Sequence, residues 1–307
     1  MNSFELNTPV VFMVFNRPGT TRSVFDEIRK AEPKKLFIIA DAPRENVYGE
    51  KEKCSQVKAI VEKIEWGCEV FRNYSDSNLG CGKRISSGLD WVFSQTEEAI
   101  ILEDDCLPHP SFFRFCQELL EYYRNDDRVM FISGDNFQNN RRNSDTSYYF
   151  SIYNHVWGWA SWKRTWDRYD FNMELWPAFK DKKLLDSWLS SPRAVKFWTK
   201  FFQKVYNKEI NTWDIQLTFA CFANKGLSII PEVNLISNIG FGQDSTHTQD
   251  SKNSSAFIPV KEMIFPLKHP SSVVRDINAD VYVEKTHYLY SLLYKILGQI
   301  RMLIKHL

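Results

Sequence analysis

The amino-acid sequence predicts an α/β fold in which helices flank a mostly parallel sheet. Across the first half of the chain, short continuous apolar runs alternate with longer segments whose apolar residues recur at helical spacing. Continuous apolar runs are typical of strands that are buried on both faces of a parallel sheet. Helical segments between such strands complete βαβ units, which place helices on both faces of the sheet.

Strands and helices are predicted in alternation up to about residue 135. The predicted strands are Pro9–Phe15, Lys35–Ala40, Glu69–Arg72, Ala99–Leu102 and Val129–Ser133. The predicted helices between them cover residues 20–31, 57–64, 85–93 and 112–123. The second half is less regular, with a helical region near Lys183–Lys208. Because no linker separates the halves 9–136 and 148–255, we interpret residues 1–280 as a single domain.

The composition excludes several classes of protein. Lysine and arginine (39) balance aspartate and glutamate (38), so the chain lacks the positive field of a protein that binds nucleic acid over its whole surface. No apolar run approaches the ~20 residues of a membrane-spanning helix, and no signal peptide is evident. The six cysteines form no C-x-x-C pair, which is typical of free thiols in a reducing compartment. We therefore expect a cytoplasmic protein.

Three consecutive carboxylates, Glu103, Asp104 and Asp105, follow the predicted strand Ala99–Leu102. Parallel sheets bind their ligands outside the carboxyl ends of the strands, so this position favours a site. Crowded carboxylates repel one another unless a cation compensates, and a manganese or magnesium ion with oxygen ligands does so. Such an ion would offset the charge on a departing diphosphate. The alternative is an acidic start to the next helix, where carboxylates are also favourable.

Polar residues also follow the other predicted strands. Arg17 follows the first strand and could pair with phosphate, or it could be a solvated strand end. Asp41 follows the second strand. After the third strand, Asn78 and Gly80 belong to a glycine-rich segment that could direct backbone amides toward phosphate or could be a tight turn. Because the carboxyl ends of parallel strands meet at one edge of a sheet, we expect these residues to lie near the acidic triplet.

Aromatic residues make up 15% of the chain, and several tryptophans, including Trp159, follow one another closely in the second half. Indole faces pack against sugar rings, but they also fill cores, so Trp159 is a candidate for either role. His247 lies in a stretch rich in glycine, serine and asparagine, residues 240–255. It could be a metal ligand, although a single histidine is more often a structural hydrogen-bonding residue.

The order of these motifs resembles the nucleotide-sugar half of the GT-A glycosyltransferases, whose sheet is Rossmann-like. In that superfamily the acidic triplet corresponds to the D-x-D signature. The closer similarity is to the N-acetylglucosaminyltransferase I type, while the Leu-Gly-Cys-Gly turn resembles bacterial family-2-like transferases. The motifs that carry the similarity are Glu103-Asp104-Asp105 followed by Pro110-x-Phe112-Phe113, Phe131–Asn136, Gly158–Trp162, Trp213-Asp214, and Ile230–Val233 leading to Gly240–Gly242.

The resemblance implies roles for the residues at the strand ends. Arg17 would contact the nucleotide, Asp41 would bind the uracil, and Asp105 would be the direct metal ligand. Glu103 and Asp104 would bond to the donor sugar and the ribose. The other members of the implied nucleotide-sugar site are Asn78, Gly80 and Trp213.

The resemblance also implies that Asp214 is the general base. An inverting transfer needs one carboxylate that takes the proton of the acceptor hydroxyl while its oxygen attacks the anomeric carbon. Glu232 and Asp244 are further candidates for this role. From the residues alone, Asp214 could equally be a helix cap, because an apolar helical run follows it.

We therefore expect a metal-dependent, inverting glycosyltransferase. It would move a hexose or N-acetylhexosamine from a nucleoside diphosphate, with UDP expected, to a glycan hydroxyl in surface polysaccharide synthesis. A sugar-nucleotide nucleotidyltransferase is the enzymatic alternative, but such enzymes usually carry a glycine- and lysine-rich loop where this chain has Asn16-Arg17-Pro18-Gly19. A non-enzymatic sugar-binding module is a second alternative, and it would leave the acidic triplet unexplained.

A basic amphipathic helix is predicted at the C-terminus, over residues 285–307. From Tyr288 onward the apolar residues recur at helical spacing, and no acidic residue follows Glu284. Such a helix can lie on an anionic membrane, where it would hold the enzyme near a lipid-linked glycan acceptor. It could instead dock on its own domain or on a second subunit.

Overall fold

A mixed sheet of eight strands lies at the centre of the structure, a computed structural model that describes residues 4–142, 144–240 and 258–288. The strands, in chain order, are β1 (Val10–Val14), β2 (Lys35–Ala40), β3 (Glu69–Tyr74), β4 (Glu98–Glu103), β5 (Cys106–Pro108), β6 (Val129–Ser133), β7 (Tyr148–Ser151), β8 (Trp159–Trp162), β9 (Leu227–Pro231) and β10 (Ile236–Asn238). The order across the large sheet is β3-β2-β1-β4-β8-β6-β9-β7, and β5 pairs separately with β10.

Helices connect most of these strands. Those in the described residues are α1 (Pro18–Ala31), α2 (Glu50–Val61), α3 (Cys81–Phe93), α4 (Ser111–Tyr122), α5 (Lys163–Trp166), α6 (Trp176–Asp181), α7 (Pro192–Tyr206), α8 (Asp214–Ala223) and α9 (Ile277–Val283). A short 3₁₀ helix covers Leu184–Ser187, and a π-helical turn covers Glu284–Tyr288. None of the described helices is long and apolar enough to cross a membrane.

The predicted α/β fold, with a mostly parallel sheet flanked by helices, is confirmed. β1 runs parallel to both of its neighbours, so that Val10 lies opposite Leu36 on β2 and Ile100 on β4. β8 is antiparallel to both β4 and β6, and β7 is antiparallel to β9. The sheet is therefore mixed in the second half of the chain, which the alternation in the first half did not predict.

Alternate residues of β1 pack into different halves of the core. Val10 and Phe12 belong to a buried cluster that contains apolar residues of α1, α2 and α4. Val11 and Met13 belong to a second cluster, which contains apolar residues of α3. Since successive side chains of a strand point to opposite faces, helices cover both faces of the sheet. This double burial explains why the strands read as continuous apolar runs.

The start of α1 holds Arg17 at the edge of the sheet. Pro18 is the first residue of this helix, where its fixed φ is favourable and its missing N–H costs nothing. The turn from β1 into α1 is therefore only a few residues long, and Arg17 lies in it. The helix ends at Glu32, whose left-handed φ of 46° and N–H bond to the Ile28 carbonyl close the last turn.

The β5–β10 pair brings the second half of the chain over the same edge. Asn238 lies opposite Cys106, the residue that follows the acidic triplet. The backbone N–H of Ile239 donates to the carbonyl of Asp105 at 2.8 Å. The stretch 241–257 and the predicted helix from residue 289 onward lie outside the described residues.

Candidate functional site

The acidic triplet lies at the carboxyl end of β4 and is bonded to the residue that follows β1. Nη1 of Arg17 donates to Oδ2 of Asp105 at 2.7 Å, and Nη2 of Arg17 donates to Oδ1 of Asp104. The backbone N–H of Phe15 adds a bond of 3.3 Å to the other oxygen of Asp104. One guanidinium therefore bridges two adjacent carboxylates.

The charges in this cluster compensate one another. Burial raises the pKa of Asp104, and the neighbouring Arg17 guanidinium opposes that rise. Burial would lower the pKa of Arg17, but the Asp104 and Asp105 carboxylates outweigh it and raise that pKa. Arg17 therefore stays protonated, because its two partners stabilise the charge that burial alone would disfavour.

Glu103 lies apart from the Arg17 bridge, at the last position of β4. Burial raises its pKa well above that of an ordinary glutamate, and the carboxylates of Asp105 and Asp104 raise it further. Arg17 opposes this rise, and the charge of Asp214 adds to it. Glu103 is thus the member of the triplet whose neutral form is favoured, and a neutral carboxyl can donate a hydrogen bond to a sugar hydroxyl.

Gly240 packs directly on the ion pair between Arg17 and Asp105. A Cβ at this position would lie 2.2 Å from Oδ2 of Asp105 and 2.8 Å from Nη1 of Arg17. The N–H of Gly240 donates to Oδ1 of Asn238 at 2.9 Å, which fixes the backbone in this place. Only glycine fits this close approach, so the backbone after β10 forms one wall of the site.

Asp41 holds the glycine-rich loop. Its carboxylate accepts the backbone N–H groups of Leu79, at 3.0 and 3.1 Å, and of Gly80, at 3.0 Å. Asn78 donates through Nδ2 to the carbonyl of Ala42 at 2.7 Å, which ties the same loop to the end of β2. Asp41 and Asn78 therefore hold this loop at the end of β2. Contact of Asp41 with a uracil stays a prediction.

The loop between α7 and α8 meets the glycine-rich loop. The N–H of Gly82 donates to Oδ1 of Asn211 at 3.2 Å, and a Cβ on Gly82 would lie 2.7 Å from the carbonyl oxygen of Thr212. Thr212 in turn donates through its hydroxyl to Oδ1 of Asp214. Asp214 is the first residue of α8, and its charge raises the pKa of both Glu103 and Cys81. The structure thus brings Asp214 to the edge that carries the triplet.

Trp159 and Trp213 lie in the core beneath the site. They are 1% and 3% exposed, and their rings stack with centroids 5.7 Å apart. Trp159 also stacks on Phe131, at 4.8 Å. Of the two roles predicted for Trp159, core packing is the one that the structure shows. Trp213, which was predicted in the nucleotide-sugar site, is likewise a core residue, and its ring stacks on Trp159.

Of the remaining candidates, one is bonded to residues outside this cluster and two lie outside the described residues. Glu232 follows β9 at the same edge of the sheet, but Nε of Arg142 donates to its Oε2 at 3.0 Å, and Arg142 also bonds to Asp276. The charge of Glu232 is therefore compensated by Arg142 and not by a residue of the triplet cluster. Asp244 and His247 lie outside the described residues, so their predicted roles stay predictions.

Asp135 was not predicted as a site residue, although it follows β6 as the triplet follows β4. The side chain is 2% exposed, and its Oδ1 has no hydrogen-bond partner among the described residues. Asn154 and His155, on the loop before β8, are also buried and carry unpartnered polar atoms. The sequence signal was the segment Gly134-Asp135-Asn136 after a predicted strand, and this signal is weak by itself.

The carboxylate oxygens at this edge are the ligand type that hard divalent ions prefer. Among the described residues, no three histidine, cysteine, aspartate or glutamate side chains are grouped so as to hold a metal ion. The side chain of Asp105 is 15% exposed and that of Asp104 is 3% exposed, so Asp105 is the more accessible of the two carboxylates. Magnesium-type ions commonly use one or two carboxylates together with substrate phosphates and water. Such an ion would bind Asp105 beside Arg17, or it would replace Arg17 as the partner of Asp105.

Comparisons with known proteins give structural similarity only. No protein-family model and no curated protein matches the sequence. The structure is similar to S. aureus TarS 1-349 (TM-score 0.43, 12% identity), covering 75% of this chain and 59% of that one. It is also similar to UDP-glucose pyrophosphorylase complexed with UDP-glucose (TM-score 0.35, 12% identity), covering 73% of this chain and 90% of that one. For apo-UDP-glucose pyrophosphorylase the TM-score is 0.37 at 10% identity, with coverage of 75% and 93%.

Proposed function

We propose that this chain is a metal-dependent, inverting glycosyltransferase. It would transfer a hexose or N-acetylhexosamine from UDP to a hydroxyl of a glycan, in the synthesis of a surface polysaccharide. The observation that carries the proposal is the convergence of Arg17, Glu103, Asp105 and Asp214 at one edge of the mixed sheet. This edge offers a cation for a diphosphate, carboxyl groups for hydroxyls and a carboxylate for a proton.

The donor diphosphate would bind beside Arg17. A guanidinium presents several N–H groups in a plane and pairs with phosphate as well as with carboxylate. In the structure its partners are Asp104 and Asp105. A bound diphosphate would compete for the same N–H groups, so donor binding would rearrange the Arg17 bridge. The nucleoside would lie toward Asp41 and the glycine-rich loop, and Asp104 and Glu103 would bond to the hydroxyls of ribose and sugar.

Asp105 would hold the divalent ion together with the phosphates of the donor. A bound manganese or magnesium ion supplies positive charge that stabilises the departing diphosphate. The chain's own contribution is to fix the Asp105 carboxylate. The carboxylate is held on one side by Arg17 and covered on another by the backbone of Gly240.

Asp214 would accept the proton. In the transfer, the acceptor oxygen forms a bond to the anomeric carbon while the bond from that carbon to the diphosphate oxygen breaks. The electron pair of the broken bond leaves with UDP, and the proton of the acceptor hydroxyl passes to the Asp214 carboxylate. The hydroxyl of Thr212 orients this carboxylate through its bond to Oδ1. Attack from the face opposite UDP inverts the anomeric configuration.

The test is product analysis with a panel of nucleotide sugars and mono- and oligosaccharide acceptors. The expected products are UDP and an elongated glycan of inverted configuration, formed with Mn²⁺ or Mg²⁺ and lost with EDTA. The variant Asp105→Asn keeps the size of the side chain, and we expect it to lose the response to metal while its circular dichroism is unchanged. Formation of UTP from UDP-sugar and pyrophosphate would identify a nucleotidyltransferase instead.

A further inference from the structure

A second guanidinium lies at the edge of the sheet that carries the acidic triplet. Arg44 belongs to the loop between β2 and α2, three residues after Asp41. Its guanidinium carbon lies 5.8 Å from the centroid of the Phe15 ring. Phe15 directly follows β1, and its backbone N–H donates to Asp104. Arg44 therefore lies against the same short turn, from β1 into α1, that contains Arg17.

A buried carboxylate holds the Arg44 side chain in this place. Glu50, the first residue of α2, accepts from the backbone N–H of Arg44 at 2.7 Å and from its Nε at 3.0 Å through one oxygen. Its other oxygen accepts from Nη2 of Arg44, and from Nδ2 of Asn16 at 2.7 Å. The Glu50 side chain is 1% exposed, whereas that of Arg44 is 49% exposed. The guanidinium is therefore fixed on one side by a buried group and open to solvent on another.

Arg17 and Arg44 differ in what remains of their N–H groups for a ligand. Arg17 bonds through Nη1 to Asp105 and through Nη2 to Asp104, so both of its terminal nitrogens are engaged with carboxylates. Glu50 engages Nε and Nη2 of Arg44, but Nη1 has no hydrogen-bond partner among the described residues. Because a guanidinium is planar, fixing two of its nitrogens also fixes the direction of the third. Arg44 thus offers an anion a fixed terminal nitrogen that no carboxylate occupies.

The end of β1, where Arg44 lies, is on the path of the proposed donor. β1 lies between β2 and β4 in the sheet. In the proposed function the nucleoside lies toward Asp41, just beyond β2, and the metal-bound phosphates lie at Asp105, just beyond β4. A nucleotide that spans these two strand ends has to cross the end of β1. The part of the nucleotide that joins the nucleoside to the rest of the diphosphate is the phosphate bonded to the ribose.

We infer that Arg44 is a second phosphate-binding residue of the donor site, with Nη1 donating to the phosphate bonded to the ribose, and that Glu50 is its positioning residue. The inference deepens the proposed function and rests on it. A hydrogen bond from a guanidinium to a phosphate oxygen is charge-assisted and is therefore stronger than one between neutral groups. Glu50 contributes by holding the guanidinium in one orientation, so that less side-chain freedom is lost when the phosphate binds.

Binding of uridine, UMP and UDP to the full chain tests the inference without any transfer reaction. The affinities are measured by ligand-observed NMR titration with EDTA present. We expect Arg44→Ala to bind UMP and UDP about tenfold more weakly than the wild type, and uridine within about twofold, because only a phosphate contact is lost. Arg44→Lys should lie between the two, because lysine keeps the charge but not the planar group.

A second pair of variants tests whether Glu50 acts through Arg44. Glu50→Gln should bind UMP about threefold more weakly, with uridine unchanged, because the guanidinium is held less firmly. Added to Arg44→Ala, the same change should have no further effect on UMP, since the group that Glu50 positions is gone. A carboxylate that only supports the fold would lower the affinities for uridine and UMP by the same factor.

Arg124→Ala is the matched control. The Arg124 side chain is 44% exposed, and Glu98 holds it through Nε at 3.0 Å and Nη2 at 2.8 Å, as Glu50 holds Arg44. Glu98 is the first residue of β4, so this pair lies at the opposite end of that strand from the triplet. We expect Arg124→Ala to bind all three ligands as the wild type does.

The outcomes separate this inference from the proposed function. UMP binding by Arg44→Ala that equals the wild type, or an equal loss for uridine and UMP, overturns the inference. If Arg44→Ala melts at a lower temperature than Arg124→Ala, the comparison rests on Arg44→Lys. A wild type that binds neither UMP nor UDP overturns the proposed donor together with the inference. If UMP affinity depends on Arg44 but the wild type consumes no nucleotide sugar, the phosphate contact stands and the transferase proposal fails.

Discussion

Arg17 and Asp105, 88 residues apart in the chain, are joined by a hydrogen bond of 2.7 Å from Nη1 to Oδ2. The same guanidinium bonds to Asp104, so a cation from the end of β1 compensates the carboxylates at the end of β4. This bridge compensates the charges of two adjacent acidic residues, Asp104 and Asp105, at a buried strand end. A cationic ligand would compete with Arg17 for the carboxylates, and an anionic ligand would compete with the carboxylates for Arg17.

Removing the Arg17 side chain should destabilise the protein. Arg17→Ala leaves the Asp104 carboxylate, whose side chain is 3% exposed, without its cation. Breaking a buried ion pair from one side costs about 3–5 kcal/mol, and we expect a loss in this range in urea denaturation. The double variant Arg17→Ala/Asp104→Asn should recover part of it, because no buried charge remains. A loss no larger than that of an exposed pair, about 0–1 kcal/mol, would contradict this.

Replacing the proposed base should affect the chemical step and not donor binding. Asp214→Asn keeps the shape of the side chain and can still accept from Thr212, but it cannot take a proton. Loss of a general base typically lowers the rate by about 10²–10⁴-fold, and we expect kcat to fall within that range. Affinity for UDP, measured by calorimetry, should stay within about twofold of the wild type. A fall in kcat of less than tenfold would move the base to another residue, with Glu232 and Asp244 next.

A methyl group at Gly240 should disturb the metal and donor site. The Cβ of Gly240→Ala would lie 2.2 Å from Oδ2 of Asp105, so the carboxylate or the backbone must shift. Overpacking of this kind costs about 1–3 kcal/mol. Because the shift would displace the Asp105 carboxylate, we expect weaker Mn²⁺-dependent binding of UDP. Gly19→Ala is the matched control, since nothing lies within 4 Å of its added Cβ. Equal UDP affinity of the two variants would argue against this placement of Gly240.

The stability contribution of Asp280 should fall as pH rises. Burial raises its pKa from 3.8 to about 7, against the opposing effects of Ser151 and Arg275. Between these two values the unfolded chain loses the proton that the folded protein keeps, so the free energy of unfolding decreases with increasing pH. Asp280→Asn cannot titrate. The wild-type free energy of unfolding minus that of the variant should therefore decrease from about pH 4 to about pH 7. A pH-independent difference would show that Asp280 has the same pKa in both states.

The C-terminal sequence predicts attachment to anionic membranes. Deletion of residues 289–307 removes the basic amphipathic pattern but keeps the Glu284–Tyr288 turn, which is bonded to the core. We expect the full chain to sediment with phosphatidylserine vesicles at low salt and the shortened chain to remain in the supernatant. Transfer to a water-soluble acceptor should be largely retained. Unfolding of the shortened chain, or no vesicle binding by the full chain, would favour docking on the domain or on a second subunit.

The layered architecture of the first half follows from its local sequence pattern. The continuous apolar runs at β1, β2 and β4 are typical of strands buried on both faces, so the polar residues after them were expected to meet at one edge. Local pattern was sufficient here because burial on both faces requires consecutive apolar residues. This pattern pointed to Arg17, Asp41 and Asp105 as candidates, and their roles in a site stay predictions.

Contacts between residues that are distant in the chain depend on the tertiary structure. The four residues of β8 carry too little pattern to reveal a strand, yet its insertion between β4 and β6 places Asp135 and His155 beside the triplet. Trp159 could pack in a core or against a sugar by its chemistry, and only its stacking between Phe131 and Trp213 settles its place. The unpartnered atoms of Asp135 and His155 are likewise a property of packing. Pairing of polar groups across distant loops depends on where the chain returns, and no short-range periodicity records that.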